Sequence, residues 1–259
     1  RDERFAGCVP VQTGGGGAPL AKRDYGENVS TENRSFTHWY CRAYAKYADF
    51  SRAENAKTAL RAIEEIREAI RWYEAQEKKQ LYILTRDNIR LTGWYMAAEG
   101  ESRGRVILCH DYRTPALVNF APLVRAYHES GYDVLLTESR AHHESLGRFV
   151  CFGIRERFDL KLWIECVNKL YGADKPIFLH GVGMGGTTVL KLPSNVNAVL
   201  AEGAYTSPYA LVKKIMKLRF HMAPEVLLRY FDFWCRGQAG FHLRKASTQE
   251  ALRATKLPV

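Results

Sequence analysis

The chain has 259 residues, of which 46% are hydrophobic, and a formal net charge of +10. This length supports one sizeable core. The sequence contains no run of about 18 apolar residues, so no membrane-spanning helix is predicted. The basic residues are scattered, and no zinc-finger, helix-turn-helix or aromatic RNA-binding motif accompanies them, so nucleic acid is not a predicted partner.

The first segment, residues 1–35, contains Gly14 to Gly17 in a row and has no hydrophobic periodicity. This composition predicts a flexible leader, and a phosphate loop is disfavoured because no Gly-Lys-Ser/Thr follows the glycines. A helical segment is predicted over residues 36–78, since the apolar residues between Ser51 and Glu77 recur every three or four positions. We expect this amphipathic helix to pack on the domain that follows; a partner-binding or membrane-surface helix is the alternative.

The main domain is predicted over residues 79–259. Leu81–Leu84 and Leu91–Tyr95 are typical of a strand hairpin around residues 86–88. Strands then alternate with helices, with strands expected at 105–110, 133–137, 176–180 and 198–202 and helices at 115–130, 154–171 and from 185 onward. This alternation predicts an α/β fold with a mainly parallel, doubly wound sheet. Lys256–Val259 is predicted as the start of a further strand.

A glycine-rich turn joins the predicted strand at 176–180 to the next helix. Gly181-Val-Gly183-Met-Gly185 resembles the nucleophile elbow G-x-S-x-G of α/β-hydrolases, with Gly183 in the serine's place. Glycine cannot attack a carbonyl, but it tolerates the strained turn. Gly181, Gly183 and Gly186 also satisfy G-x-G-x-x-G with Glu202 near the ribose-binding position, so a dinucleotide-binding oxidoreductase module stays an alternative, disfavoured because this unit is not the first of the sheet.

A wider resemblance covers about residues 80 to 259. The segments 106–113, 138–147, 181–185 and 201–205 are similar to the motifs of bacterial serine aminopeptidase-like and lysophospholipase-like hydrolases. The resemblance implies an α/β-hydrolase fold that hydrolyses small-molecule esters, amides or peptides through a serine nucleophile. No cofactor is expected, and the absence of a C-x-x-C pair predicts no structural metal. In the loop at 138–147, Glu138 replaces an aspartate of the family, and Ala141 and His143 replace glycines, so the tight turns there are expected to be rearranged.

The resemblance assigns the oxyanion hole to the backbone amides of Tyr112 and Met184. Asp111 replaces a glycine of the family and is expected to place a carboxylate close to the oxyanion. In the family, the triad's acid and histidine follow the strand that starts near Leu257 here, so both are expected beyond Val259 in a C-terminally truncated chain. We therefore predict a catalytically impaired hydrolase, with a non-catalytic binding pseudoenzyme as the alternative.

The segment from Tyr205 to Phe241 stands where the family has a lid. Tyr205, Phe231 and Trp234 are predicted to line an apolar substrate pocket, although packing of a lid helix on the sheet explains these aromatic residues equally well. His110 and His180 are interpreted as packing residues, and His142 and His143 as loop residues rather than metal ligands.

Cysteine usage gives the expected location. The six cysteines lie far apart, and Cys109 and Cys166 stand within apolar runs as small buried residues do. A reducing, cytoplasmic compartment is expected, while the start at Arg1 leaves open a signal or anchor before it. The oligomeric state and the substrate are undetermined by the sequence.

Overall fold

A computed structural model describes residues 9–10, 53–192, 196–222, 225–245 and 247–254. The chain divides into two compact units, residues 12–74 and the remainder. The first unit contributes most of helix α1 (Ala53–Ala75), which confirms the helix predicted between residues 51 and 77. Within the predicted leader only Val9–Pro10 is described, as the short strand β1; the rest of that prediction lies outside the described residues.

The second unit is built on a seven-stranded sheet. Its longer strands are β2 (Lys79–Leu84), β3 (Arg90–Met96), β4 (Arg105–Cys109), β5 (Asp133–Thr137), β6 (Ile177–Val182) and β7 (Ala198–Glu202). The spatial order is β1-β2-β3-β5-β4-β6-β7. The pairs β1–β2, β2–β3 and β3–β5 are antiparallel. The pairs β5–β4, β4–β6 and β6–β7 are parallel. The predicted hairpin and mainly parallel sheet are confirmed.

The helices connect the parallel strands as crossovers and then form the C-terminal part of the described chain. They are α2 (Ala116–Glu129), α3 (Glu156–Tyr171), α4 (Met184–Leu190), α5 (Pro208–Phe220), α6 (Glu225–Ala239) and α7 (Thr248–Ala254), with a 3-10 turn at Leu243–Lys245. These bounds confirm the predicted alternation. The strand predicted at Lys256–Val259 lies outside the described residues.

Both faces of the parallel strands are covered, which is why β4 and β5 are buried along their whole lengths. On one face, Ile107 and Leu179 join a core with Leu160 and Trp163 of α3. On the other face, the ring of Phe120 in α2 contacts His180 of β6 at 5.4 Å between centroids. The parallel pairing of Cys109 with Gly181 holds the carboxyl ends of β4 and β6 side by side, where the glycine turn lies.

Two findings bear on the expected compartment. Cys109, Cys151 and Cys235 are free thiols, but Cys166 is disulfide-bonded. The prediction that Cys109 and Cys166 are small buried residues is confirmed, since both lie in the core, whereas the disulfide of Cys166 does not support the expected reducing compartment. Among the described helices, none combines the length and the apolar character needed to cross a bilayer.

Candidate active site

Gly183 forms the sharp turn between β6 and α4. Its φ of 55° and ψ of −110° lie in a region that disfavours side chains. Its amide donates to the carbonyl of Glu202 at 2.8 Å, and its carbonyl accepts from the amide of Thr187 at 3.0 Å. The turn thus lies at the carboxyl ends of β6 and β7, as the elbow pattern predicts.

A second glycine brings this turn against the end of β4. A Cβ atom at Gly185 would overlap the carbonyl of Cys109 and would lie 2.8 Å from the carbonyl oxygen of His110. Only a residue without a side chain permits this approach of α4 to β4. The first amide of α4, that of Met184, is thereby held beside the loop that follows β4.

The carboxylate of Asp111 lies in the centre of this site. Its Oδ1 accepts hydrogen bonds from the amides of Tyr112 at 2.7 Å and Met184 at 2.8 Å. These are the two amides that the resemblance assigns to the oxyanion hole. A Cβ atom at Gly183 would overlap Oδ1 and would lie 2.6 Å from Oδ2. One carboxylate therefore takes both the point where the amides converge and the space that a side chain at position 183 would need.

The backbone of Asp111 is held from two sides. Its amide donates to Oδ1 of Asn119 in α2 at 2.8 Å. Its carbonyl lies 2.7 Å from Nδ1 of His110, whose Nε2 lies 2.9 Å from the amide of Ser139. Because an amide can only donate, Nε2 accepts and the imidazole proton is assigned to Nδ1. Burial lowers the pKa of His110 to about 3, so this histidine is neutral and positions the loop.

A second uncharged group, the carboxyl of Glu138, lies beside His110. Its Oε2 lies 3.4 Å from His110 Nε2, and its Oε1 accepts from the amide of Ala116 at 3.3 Å. Burial raises the pKa of Glu138 to about 8, so the carboxyl is mostly protonated at neutral pH. The close approach of Glu138 and His110 therefore joins two uncharged groups and gives no activated base.

The loop after β5 has two residues other than glycine in the left-handed backbone conformation. Ala141 and His143 adopt φ values of 59° and 44°. Both residues therefore adopt the left-handed conformation that favours glycine, and the rearrangement of these turns stays a prediction. His142, interpreted from the sequence as a loop residue, is also buried: its Nε2 accepts from the amide of Arg113 at 2.9 Å, and its Nδ1 lies 2.9 Å from the carbonyl of Arg140.

Sequence reasoning missed a partly buried ion-pair network beside the site. Arg140 donates to both carboxylate oxygens of Asp159, at 2.8 and 2.7 Å, and to Oδ2 of Asp87 at 2.9 Å. Arg155 also donates to Asp87, at 2.6 Å. The only signal in the sequence was Arg140 within the segment 138–147 that carries the resemblance, since its partners come from a hairpin turn and from α3. The network fastens the loop after β5 to both.

The predicted substrate-binding residues separate into two groups. The rings of Phe231 and Trp234 stack with centroids 6.2 Å apart. Tyr205 has different neighbours: its amide donates to Thr187 Oγ1 at 3.1 Å, and its ring lies 5.9 Å from the ammonium of Lys191. Lys191 is buried, which lowers its pKa to about 8. The structure thus brings Phe231 and Trp234 together and gives Tyr205 other neighbours.

A line of aromatic rings runs from the site toward the segment that follows β7. Tyr112, whose amide binds Asp111, stacks with Phe152 at 6.2 Å between centroids, and Phe152 contacts Phe241 at 6.4 Å. Phe152 and Phe231 both pack on the buried cluster that includes Leu228 of α6. Apolar contacts therefore connect the exposed ring of Tyr112 with the segment after β7.

Comparison with known proteins places this geometry in context. No family model matches the chain. It is 23% identical over 195 residues to the uncharacterized protein YqkD of Bacillus subtilis, covering 72% of this chain and 62% of that protein. It is 44% identical over 48 residues to the carbohydrate esterase MZ0003 of an unknown prokaryotic organism, covering 18% of this chain and 11% of the esterase. The chain thus spans less than two thirds of both curated relatives.

Solved structures of α/β-hydrolases share the architecture. The esterase Pf2001 of Pyrococcus furiosus is similar with a TM-score of 0.54 and 24% identity, over 71% of this chain and 69% of the esterase. An alpha-beta hydrolase of Vibrio vulnificus gives a TM-score of 0.52 and 18% identity, over 71% of this chain and 62% of that protein. The predicted fold class, the α/β-hydrolase fold, is confirmed.

Proposed function

We propose that this chain descends from hydrolases that cleave ester or amide bonds through a serine nucleophile, and that it no longer performs this reaction. The esterase names of similar proteins support the first part. The second part rests on one observation, the hydrogen bonds from the amides of Tyr112 and Met184 to Oδ1 of Asp111.

The chemical reason lies in the charge of the transition state. A serine hydrolase stabilises the developing oxyanion with preorganised N–H donors about 2.7–3.1 Å away. In this chain a carboxylate already accepts from those donors, so a substrate carbonyl would have to displace it and then develop negative charge beside it. Enzymes that lose the nucleophile alone keep about a thousandfold acceleration through the oxyanion hole and binding. Because Asp111 already accepts from both amides, we expect this remaining acceleration to be lost as well.

What remains is a site suited to binding. The exposed ring of Tyr112 and its contact with Phe152 offer an apolar surface beside the glycine turn. We propose that this site binds a small-molecule ester, amide or peptide without cleaving it. The roles of Tyr205, Phe231 and Trp234 in lining the ligand site stay predictions.

The dinucleotide alternative is weaker on electrostatic grounds. A pyrophosphate would need the amides at the start of α4, where Oδ1 of Asp111 already binds the amide of Met184. Glu202, the candidate ribose ligand, has its Oε1 2.8 Å from Nε2 of His180. We therefore expect no NAD binding at micromolar concentrations, and calorimetry tests this directly.

Activity is tested by fluorophosphonate labelling together with hydrolysis of short-chain p-nitrophenyl esters. We expect neither from the chain as it stands. Gly183→Ser alone should also stay unlabelled, because its side chain would overlap Asp111. Covalent labelling of any serine in the native chain, accompanied by burst kinetics, would contradict the proposal; a heat-unfolded sample controls for nonspecific labelling.

A further inference from the structure

Helices α5 and α6 expose an unusual number of large apolar side chains. Val226 is 80% exposed, Phe233 71%, Phe220 67% and Tyr230 66%. Soluble proteins seldom leave such a patch open unless it binds something. We call these residues, with Leu218 and Met222, the α5–α6 surface.

The periodicity of α6 explains how the patch forms. Val226, Tyr230 and Phe233 are four and three residues apart and therefore lie on one side of the helix. Leu228 and Cys235 are buried in the core cluster beneath the helix. The helix is thus apolar both toward the core and toward solvent, and burial within this unit accounts for only one of the two faces.

The acidic side chains of this helix pair are bound to neighbouring groups of the unit. Glu225 is paired with Arg244 and accepts a hydrogen bond from the hydroxyl of Tyr209 at 2.6 Å. Asp232 accepts from the amide of Leu243 at 2.6 Å. No other acidic residue occurs between Pro208 and Ala239. Neither carboxylate is therefore left to neutralise the outer cations.

The basic side chains, in contrast, form no salt bridges within the described part of the chain, although Lys213 interacts electrostatically with Glu225. Residues 208–239 contain Lys213, Lys214, Lys217, Arg219, Arg229 and Arg236. Among the described residues, none of these six forms an ion pair with a carboxylate. All but Lys213 are exposed. Free cations therefore flank the apolar side chains of the α5–α6 surface.

We propose that the α5–α6 surface binds an anionic membrane surface. Aromatic and aliphatic side chains enter the interfacial region, while flanking lysines and arginines reach the lipid headgroups. A second copy of the chain is a poorer occupant, because a self-complementary contact would bring the same unneutralised cations together. The inference does not depend on whether the site near Asp111 hydrolyses or only binds its ligand.

The test is co-sedimentation of the chain with vesicles of phosphatidylcholine, with and without phosphatidylserine as a minor component. Binding is expected with the anionic vesicles, to weaken with added salt, and to be slight without phosphatidylserine. Replacing Lys214 and Lys217 by Gln should weaken the partition coefficient about 5-fold for each cation removed. Val226→Ser combined with Phe233→Ser should weaken it about tenfold or more.

Matched control variants distinguish binding through this surface from nonspecific adsorption to vesicles. Leu84→Ser removes an apolar side chain that is 46% exposed on β2, and Lys169→Gln removes an exposed cation of α3; both should bind like the parent chain. Thermal unfolding of each variant checks that the fold is kept. The proposal is overturned by equal binding to both vesicle types, by no binding to either, or by dimers that Val226→Ser with Phe233→Ser dissociates while vesicle binding is unchanged.

Discussion

Gly183→Ser should destabilise the chain through Asp111, and the size of the effect follows from the site. A side chain in the strained turn costs about 1–3 kcal/mol by itself. Its Cβ atom would also displace the Asp111 carboxylate from the amides of Tyr112 and Met184. Hydrogen bonds to a charged group contribute about 1.5–3 kcal/mol each, part of which the displaced carboxylate regains from water. We expect a loss of about 3–5 kcal/mol.

A double-mutant cycle isolates the collision. In an Asp111→Gly background, Gly183→Ser should cost only the backbone strain, so the two substitutions should couple by about 2 kcal/mol. The free energy of unfolding is measured by urea denaturation with circular dichroism. Gly203→Ser is the matched control, since Gly203 has a φ of 61° and its Cβ position would come no nearer than 4.0 Å to another group, the amide nitrogen of Gly183. Additive effects at Gly183, within about 0.5 kcal/mol, would refute the assignment of the carboxylate to this space.

Three further predictions concern the surroundings of the site. Burial raises the pKa of Glu138 from its usual 4.5 to about 8, so the folded chain holds the proton longer, and the free energy of unfolding should fall as the pH rises between these values. Glu138→Gln should remove this slope, at most about 1.4 kcal/mol per pH unit, in urea titrations at successive pH values. Gly185→Ala should cost about 3 kcal/mol or more in urea denaturation because its methyl group would overlap the carbonyl of Cys109, whereas Gly237→Ala in open space should stabilise α6 by up to about 1 kcal/mol. Arg140→Met should cost about 3–5 kcal/mol by leaving its buried carboxylate partner unpaired, and a loss below about 1 kcal/mol in thermal or urea unfolding would contradict this.

The local patterns of the sequence determined the order and type of the elements. The strands β5 and β7 have the predicted bounds, Asp133–Thr137 and Ala198–Glu202. A parallel strand covered on both faces appears as a short apolar run, and a strand-to-helix corner needs glycine, so both can be recognised without the fold. The resemblance also placed Asp111 near the amides of Tyr112 and Met184.

Only the tertiary structure decided what the carboxylate of Asp111 does there. Asp111 and Met184 are 73 positions apart, and their hydrogen bond depends on the parallel register of β4 with β6 and on the close approach of α4 to β4. The pairing of Arg140 with Asp87, 53 positions away, likewise depends on how the hairpin turn meets the loop after β5. Periodicity reports which way a side chain faces along its own element, whereas contacts between distant elements depend on the register and packing angles that the whole sheet sets.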